Sequence, residues 1–130
     1  MSARILIVDD HPTNLKLASE VLQAAGYEVQ RAADAEQALA VLQQTLPDLI
    51  LMDIALPGMN GLELTRKLKE DEATRRIRIV ALTAFAMKGD DQKARDAGCD
   101  GYIAKPINTR RLPLQVAEFL QRDPEVKTES

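Results

Sequence analysis

Short, wholly apolar runs alternate with longer stretches in which apolar residues recur every three or four positions, and the alternation repeats five times. Ile5–Val8 is an unbroken apolar run of strand length, the pattern of a strand covered on both faces. From about Thr13 to Ala25, Leu15, Ala18, Val21, Leu22 and Ala25 fall at helical spacing, and Gly26 stands where helices commonly stop. Glu28–Ala32 reads as a second strand, more polar and so expected at a sheet edge. Asp34 and Gln37 have capping-box spacing ahead of a helix carrying Ala38, Val41 and Leu42, which Pro47 closes. Leu49–Met52 is a third strand, as apolar as the first.

Asn60 caps a helix containing Leu62, Leu64 and Leu68, followed by a charged loop from Lys69 to Arg76. Ile79–Leu82 is the fourth strand, with a short helix from about Asp90 to Ala97 ended by Gly98. Gly101–Ala104 gives a weak fifth strand, and a final helix runs from about Arg110 to Leu120. Pro113 falls inside that helix, where it removes an amide donor and crowds the preceding turn. The helix must therefore start later or open irregularly. Residues 1–121 read as one domain, and residues 122–130 as a flexible tail without apolar periodicity.

Five strand–helix units predict an α/β fold, a doubly wound parallel sheet with helices on both faces and right-handed crossovers. In such sheets ligands bind beyond the carboxyl ends of the strands, where the strand order reverses. Asp9 and Asp10 directly follow the first strand and Asp53 follows the third, while Thr83 ends the fourth and Lys105 follows the fifth. With strand order 2-1-3-4-5, the Asp9/Asp10 pair and Asp53 face each other at that reversal. Three carboxylates so close repel one another and cannot all stay ionised cheaply, and the chain offers two remedies, Lys105 and a bound cation. Oxygen donors of this kind suit a hard ion such as Mg²⁺. A carboxylate beside a metal, a lysine and a hydroxyl is equipped to attack phosphorus and form an acyl phosphate. Taken one at a time, each residue has an ordinary explanation as a turn, a cap or a solvated charge. Their joint placement at four strand ends is what carries the argument.

Composition narrows the classes further. The chain has 130 residues, 45% hydrophobic and 28% charged, as in a folded domain. The single cysteine, Cys99, excludes an internal disulfide and fits a reducing compartment, so the protein is expected in the cytoplasm. No apolar run approaches the length of a membrane span, and a net charge of −3 gives no general attraction to nucleic acid. The only four aromatics are Tyr27, Phe85, Tyr102 and Phe119, so aliphatic residues must build the core. His11, the one histidine, adjoins the acidic pair but reads as a solvated residue at a helix start. Cys99 reads as a packed, inert thiol, and Arg75, Arg76 and Arg78 as the charges of a loop.

At these residues the chain resembles the CheY-like receiver domain of two-component response regulators. I-L-I-V-D-D at Ile5–Asp10 resembles the family's acidic pair, and L-I-L-M-D-I-A-L-P-G-M-N-G at Leu49–Gly61 its phosphoacceptor segment. A-L-T-A at Ala81–Ala84 carries the threonine, and G-Y-I-A-K-P at Gly101–Pro106 the lysine. The stretch T-A-F-A-M-K-G-D at Thr83–Asp90 is similar to the DivK type of single-domain regulator. The resemblance implies a flavodoxin-like fold and a phosphorelay protein whose Asp53 accepts a phosphoryl group from a histidine kinase or a histidine phosphotransfer protein. It further implies Mg²⁺, or Mn²⁺ in its place, held by Asp10, Asp53 and the backbone carbonyl of Ala55, with Asp9 acting through water. Thr83 and Lys105 would bind phosphoryl oxygens, with a cis peptide between Lys105 and Pro106. Thr83 and Tyr102 would form a conformational switch toward a downstream protein through the face of helix 4, strand 5 and helix 5. Ala55 and Phe85 occupy positions that tune phosphoryl lifetime in this family.

Two alternatives stay open. One is a receiver excised from a larger regulator or hybrid kinase, and another is a phosphorylation-independent binding module of receiver shape. An aspartyl-phosphate phosphatase of the haloacid dehalogenase type is disfavoured, because Ala55 stands where its second aspartate belongs.

Overall fold

The computed structural model describes residues 3–56, 58–83 and 90–121. Along the chain lie β1 (Arg4–Val8), α1 (Pro12–Ala24), β2 (Glu28–Ala32), α2 (Ala35–Gln44) and β3 (Leu49–Asp53). They are followed by α3 (Gly61–Glu70), β4 (Arg78–Thr83), α4 (Asp90–Ala97), β5 (Gly101–Ala104) and α5 (Leu112–Gln121). The five strands form one parallel sheet, as the alternating pattern predicts, in the order β2-β1-β3-β4-β5 that the family resemblance implies.

Strand composition follows position in the sheet. β3 is buried at all five residues, and β1 and β4 at all but their first. Successive side chains point to opposite faces, so a central strand needs apolar residues throughout. Leu6, Val8, Ile50, Met52, Ile79 and Ala81 pack in one core with Ala38 and Leu42 of α2 and Leu64 and Leu68 of α3. The alternate residues Ile5, Ile7, Leu49, Leu51, Val80 and Leu82 pack in a second core with α1 and α5. Each fully buried Leu or Ile contributes about 1.5–3 kcal/mol of transfer free energy. The edge strands differ, since β2 buries only Ala32 and β5 only Ile103.

Local signals set the helix boundaries. The Asp34 side chain accepts from Gln37 N, while Gln37 Oε1 returns to Ala33 N at 2.8 Å rather than to the cap residue's own amide. Asn60 and Glu63 form a complete reciprocal capping box at α3, more than the lone Asn60 cap expected from sequence. α5 begins at Leu112, later than the periodicity implied, so Pro113 occupies its first turn, where no intrahelical amide bond is required. A turn before it is held by Asn108, whose Oδ1 accepts from Arg110 N and Arg111 N. Tyr27 and Phe119 pack against the second core, and Phe85 lies outside the described residues.

Candidate functional site

Register brings the polar strand-end residues to one place. Val8 pairs with Met52, Asp53 with Leu82, and Thr83 with Ala104. Asp9, Asp53, Thr83 and Lys105 therefore emerge at the same end of the sheet. Because β1 sits between β2 and β3, this is the point where the strand order reverses. Asp9 and Asp53 are 1% and 2% exposed, which is rare for carboxylates without compensating partners.

Lys105 is the compensating group. Its Nζ lies 3.1 Å from Asp53 Oδ2 and 3.1 Å from Asp9 Oδ2, joining the two buried acids through one ammonium. Burial alone would lower the lysine's pKa, and the two carboxylates more than reverse this, holding it above the ordinary lysine value. The Lys105–Pro106 peptide is cis, and Lys105 N donates to Thr83 O at 2.7 Å. Thr83 is buried at the end of β4.

Backbone amides orient the remaining oxygens. Asp53 Oδ1 accepts from Ala55 N at 2.9 Å, and Asp9 Oδ1 from His11 N at 2.9 Å. Gly61 opens α3 so close to β3 that a Cβ there would stand 2.2 Å from Asp53 O. No side chain fits at that distance, so the glycine is what lets the helix start against the carbonyl of Asp53. Asp10 is only partly buried, yet its Oδ1 is shielded from solvent and, among the described residues, accepts no hydrogen bond.

Among the described residues the pocket thus sets three carboxylates against one ammonium. One ligand atom from each of Asp9, Asp10, His11 and Asp53 falls within 4.8 Å of the others. A surplus of hard oxygen donors, one of them an Asp10 oxygen shielded from solvent, fits a divalent cation such as Mg²⁺. Expected as merely solvated, His11 is indeed exposed, but its Nδ1 lies 3.4 Å from Asp9 Oδ1 and 3.3 Å from Asp10 Oδ1.

Tyr102 stands apart from this pocket, on β5 opposite Ala81 and 41% exposed. It lines a cavity of about 310 Å³ with Arg95, Cys99, Gly101 and Phe119. Gly101 is required there, since a Cβ would stand 2.2 Å from the Phe119 ring. Cys99 is buried beside Thr65, with Sγ and Oγ1 3.9 Å apart, and burial pushes its thiol up to about 11, the behaviour of an inert core cysteine.

One residue read from sequence as loop charge has a defined role. Lys69 lies in the last turn of α3 with its Nζ donating to Arg75 O, Ile77 O and Asp100 Oδ2, and Asp100 Oδ2 also accepts from Ile79 N. This clasp ties α3 and the loop after it to the turn before β5. Residues so distant in sequence left no local signal of it.

Comparison with known proteins agrees with the geometry. The response regulator receiver domain family matches residues 5–117. The polar-differentiation response regulator DivK of Brucella ovis is 44% identical over 120 residues, covering 92% of this chain and 98% of that protein. Its counterpart in Brucella anthropi is 43% identical over the same share. A putative response regulator from Chloroflexus aurantiacus superposes with a TM-score of 0.89 at 35% identity, covering 94% of this chain and all of that one. The chemotaxis response regulator CheY4 of Vibrio cholerae gives 0.86 at 31% identity, covering 92% and 99%. Among the described residues no helix is long and apolar enough to cross a membrane. With an acidic pocket at the switch point of a 2-1-3-4-5 sheet and a family match along most of its length, the chain belongs to the response regulator receiver domains of two-component systems, signalling phosphoacceptors of which DivK is a similar member.

Proposed function

We propose that the protein is a phosphorelay regulator that accepts a phosphoryl group on Asp53 from a phosphohistidine of a histidine kinase or phosphotransfer protein. The supporting observation is the Lys105 ammonium lying 3.1 Å from both Asp9 and Asp53, the two most buried carboxylates of the pocket. An Asp53 carboxylate oxygen attacks phosphorus, the P–N bond breaks, and the imidazole leaves with the bonding pair and takes up a proton. Mg²⁺, or Mn²⁺, would neutralise the phosphoryl oxygens, held by Asp10, Asp53 and the Ala55 carbonyl, with Asp9 acting through water. Lys105 turns from Asp53 to a phosphoryl oxygen, and the Thr83 hydroxyl bonds another. In this sense the chain catalyses its own phosphorylation and dephosphorylation.

Output then follows from the residues that move. Withdrawal of Thr83 toward the phosphate leaves room beneath β5, and Tyr102 turns inward from its exposed position. That remodels the α4, β5 and α5 face for a downstream protein partner. Ala55 is exposed beside Asp53 and leaves water an approach to the acyl phosphate, one of the two positions, with Phe85, that tune its lifetime. The unpaired Cys99 and the kinase partner fit a cytoplasmic location.

Incubation with acetyl phosphate and Mg²⁺, followed by intact-mass measurement, tests the assignment. One added phosphoryl group is expected in the wild type and none in Asp53→Asn. Persistence of the label in that variant overturns the reading.

A further inference from the structure

The one histidine of the chain stands at the mouth of the acidic pocket, and the phosphoryl-transfer chemistry leaves it without a task. His11 is the N-cap of α1, in an extended conformation (φ −90°, ψ 113°) with Pro12 at the first position of the helix. Its backbone is held from two sides, because Pro12 restricts the preceding residue and His11 N donates to Asp9 Oδ1. The side chain therefore leaves a fixed point. Its Nδ1 lies 3.3 Å from Asp10 Oδ1 and 3.4 Å from Asp9 Oδ1, while the ring is 65% exposed and open to an arriving ion.

Those separations are close to a coordination edge. Two ligands at right angles, each about 2.1 Å from an ion, stand about 3 Å apart. Among the described residues the Asp10 oxygen on that edge accepts no hydrogen bond, and its ion-pair contact is with His11 Nδ1 itself, the other end of the edge. An imidazole nitrogen adds little for Mg²⁺, which prefers oxygen and water, but much for Co²⁺, Ni²⁺ or Zn²⁺.

We propose that His11 is an additional ligand of this pocket, supplying Nδ1 beside Asp10 Oδ1, so that the site takes borderline divalent ions such as Co²⁺ and Zn²⁺ in preference to Mg²⁺. This rests on the pocket being a divalent-ion site, as the proposed function requires. The consequence is a regulator whose metal occupancy follows transition-ion availability as well as Mg²⁺.

Calorimetric titration of the full chain with CoCl₂ and with MgCl₂ tests it, in the wild type, His11→Asn and Asp10→Asn. Loss of His11 is expected to weaken Co²⁺ at least about tenfold and to leave Mg²⁺ within about twofold. Asp10→Asn is expected to weaken both. Because His11 is the only histidine, ¹⁵N spectra of the imidazole report ligation directly. Added Zn²⁺ should shift Nδ1 as a bound nitrogen. An unshifted imidazole, an unchanged Co²⁺ to Mg²⁺ ratio, or an equal loss of both ions in His11→Asn overturns the role of His11. Mg²⁺ binding that survives Asp10→Asn instead overturns the pocket itself, so the two failures are distinct.

Discussion

The carboxyl end of β1 and β3 and the β5 edge are built on opposite terms. At the first, Asp9 and Asp53 are almost wholly buried, and Lys105 and two backbone amides fix their oxygens. At the second, a four-residue strand buries only Ile103, Tyr102 stands 41% exposed, and a cavity lies beside it. Both belong to one sheet, yet the pocket is over-determined and the edge is loosely held. A charge event needs groups that cannot relax away from it, whereas a readout needs an element whose two arrangements differ little in free energy. In this fold the two requirements are met a few strands apart.

The sharpest way to break this contrast is to remove volume on each side. Leu51→Ala, in the middle of β3 and fully buried, should cost about 3–4 kcal/mol in denaturant unfolding. Ile103→Ala, on the edge strand, should cost at least about 1 kcal/mol less, because an edge site collapses more readily around the gap. Equal losses would mean that the edge is as tightly held as the centre.

Gly61→Ala attacks the pocket through the backbone. Its Cβ would meet Asp53 O and Ile54 Cα, neither of which can swing aside, so a loss of about 1–3 kcal/mol and slower phosphorylation by acetyl phosphate are expected. A variant with wild-type stability and rate would show that α3 need not lie so close to Asp53.

Cys99 tests what lies beneath the edge. Burial raises its thiol to about 11 from the ordinary 9.0, so the folded state holds a proton that the unfolded chain gives up. Its contribution to stability is complete below pH 9.0 and is lost as pH rises through about 11. Chemical denaturation across that range should show a decline on the order of 2 kcal/mol that Cys99→Ala lacks. A wild-type curve parallel to that of the variant would place the thiol in contact with water.

The smallest effect on stability falls on the residue given the largest signalling role. Tyr102→Ala should change unfolding free energy by no more than about 1 kcal/mol, since the residue stands 41% exposed on an edge strand. Phosphorylation-dependent capture of a partner should nevertheless be reduced. If capture in the presence of a beryllofluoride mimic is unchanged, Tyr102 has no part in the output.

Much of this was legible in the chain. Each apolar run of four residues became a strand, and the more polar Glu28–Ala32 became an edge, because a strand's composition records how many of its faces are covered. Asp9, Asp10, Asp53, Thr83 and Lys105 could be placed beside one another before any coordinates, since a parallel doubly wound sheet collects strand ends on one side. Pro113 marked a boundary whose position only the structure supplied, with Asn108 holding the turn before Leu112.

What the sequence determined by itself was periodicity, the parallel strand–helix alternation and the strand-end chemistry, all properties of local pattern. Tertiary structure alone decided that one ammonium serves both Asp9 and Asp53, and that Gly61 clears the way to the Asp53 carbonyl. It also decided that Lys69 clasps Asp100, and that His11 turns toward the acids beside it. These depend on distances between residues remote in sequence or on side-chain direction at a turn. Neither leaves a repeat in the pattern of hydrophobic and polar positions.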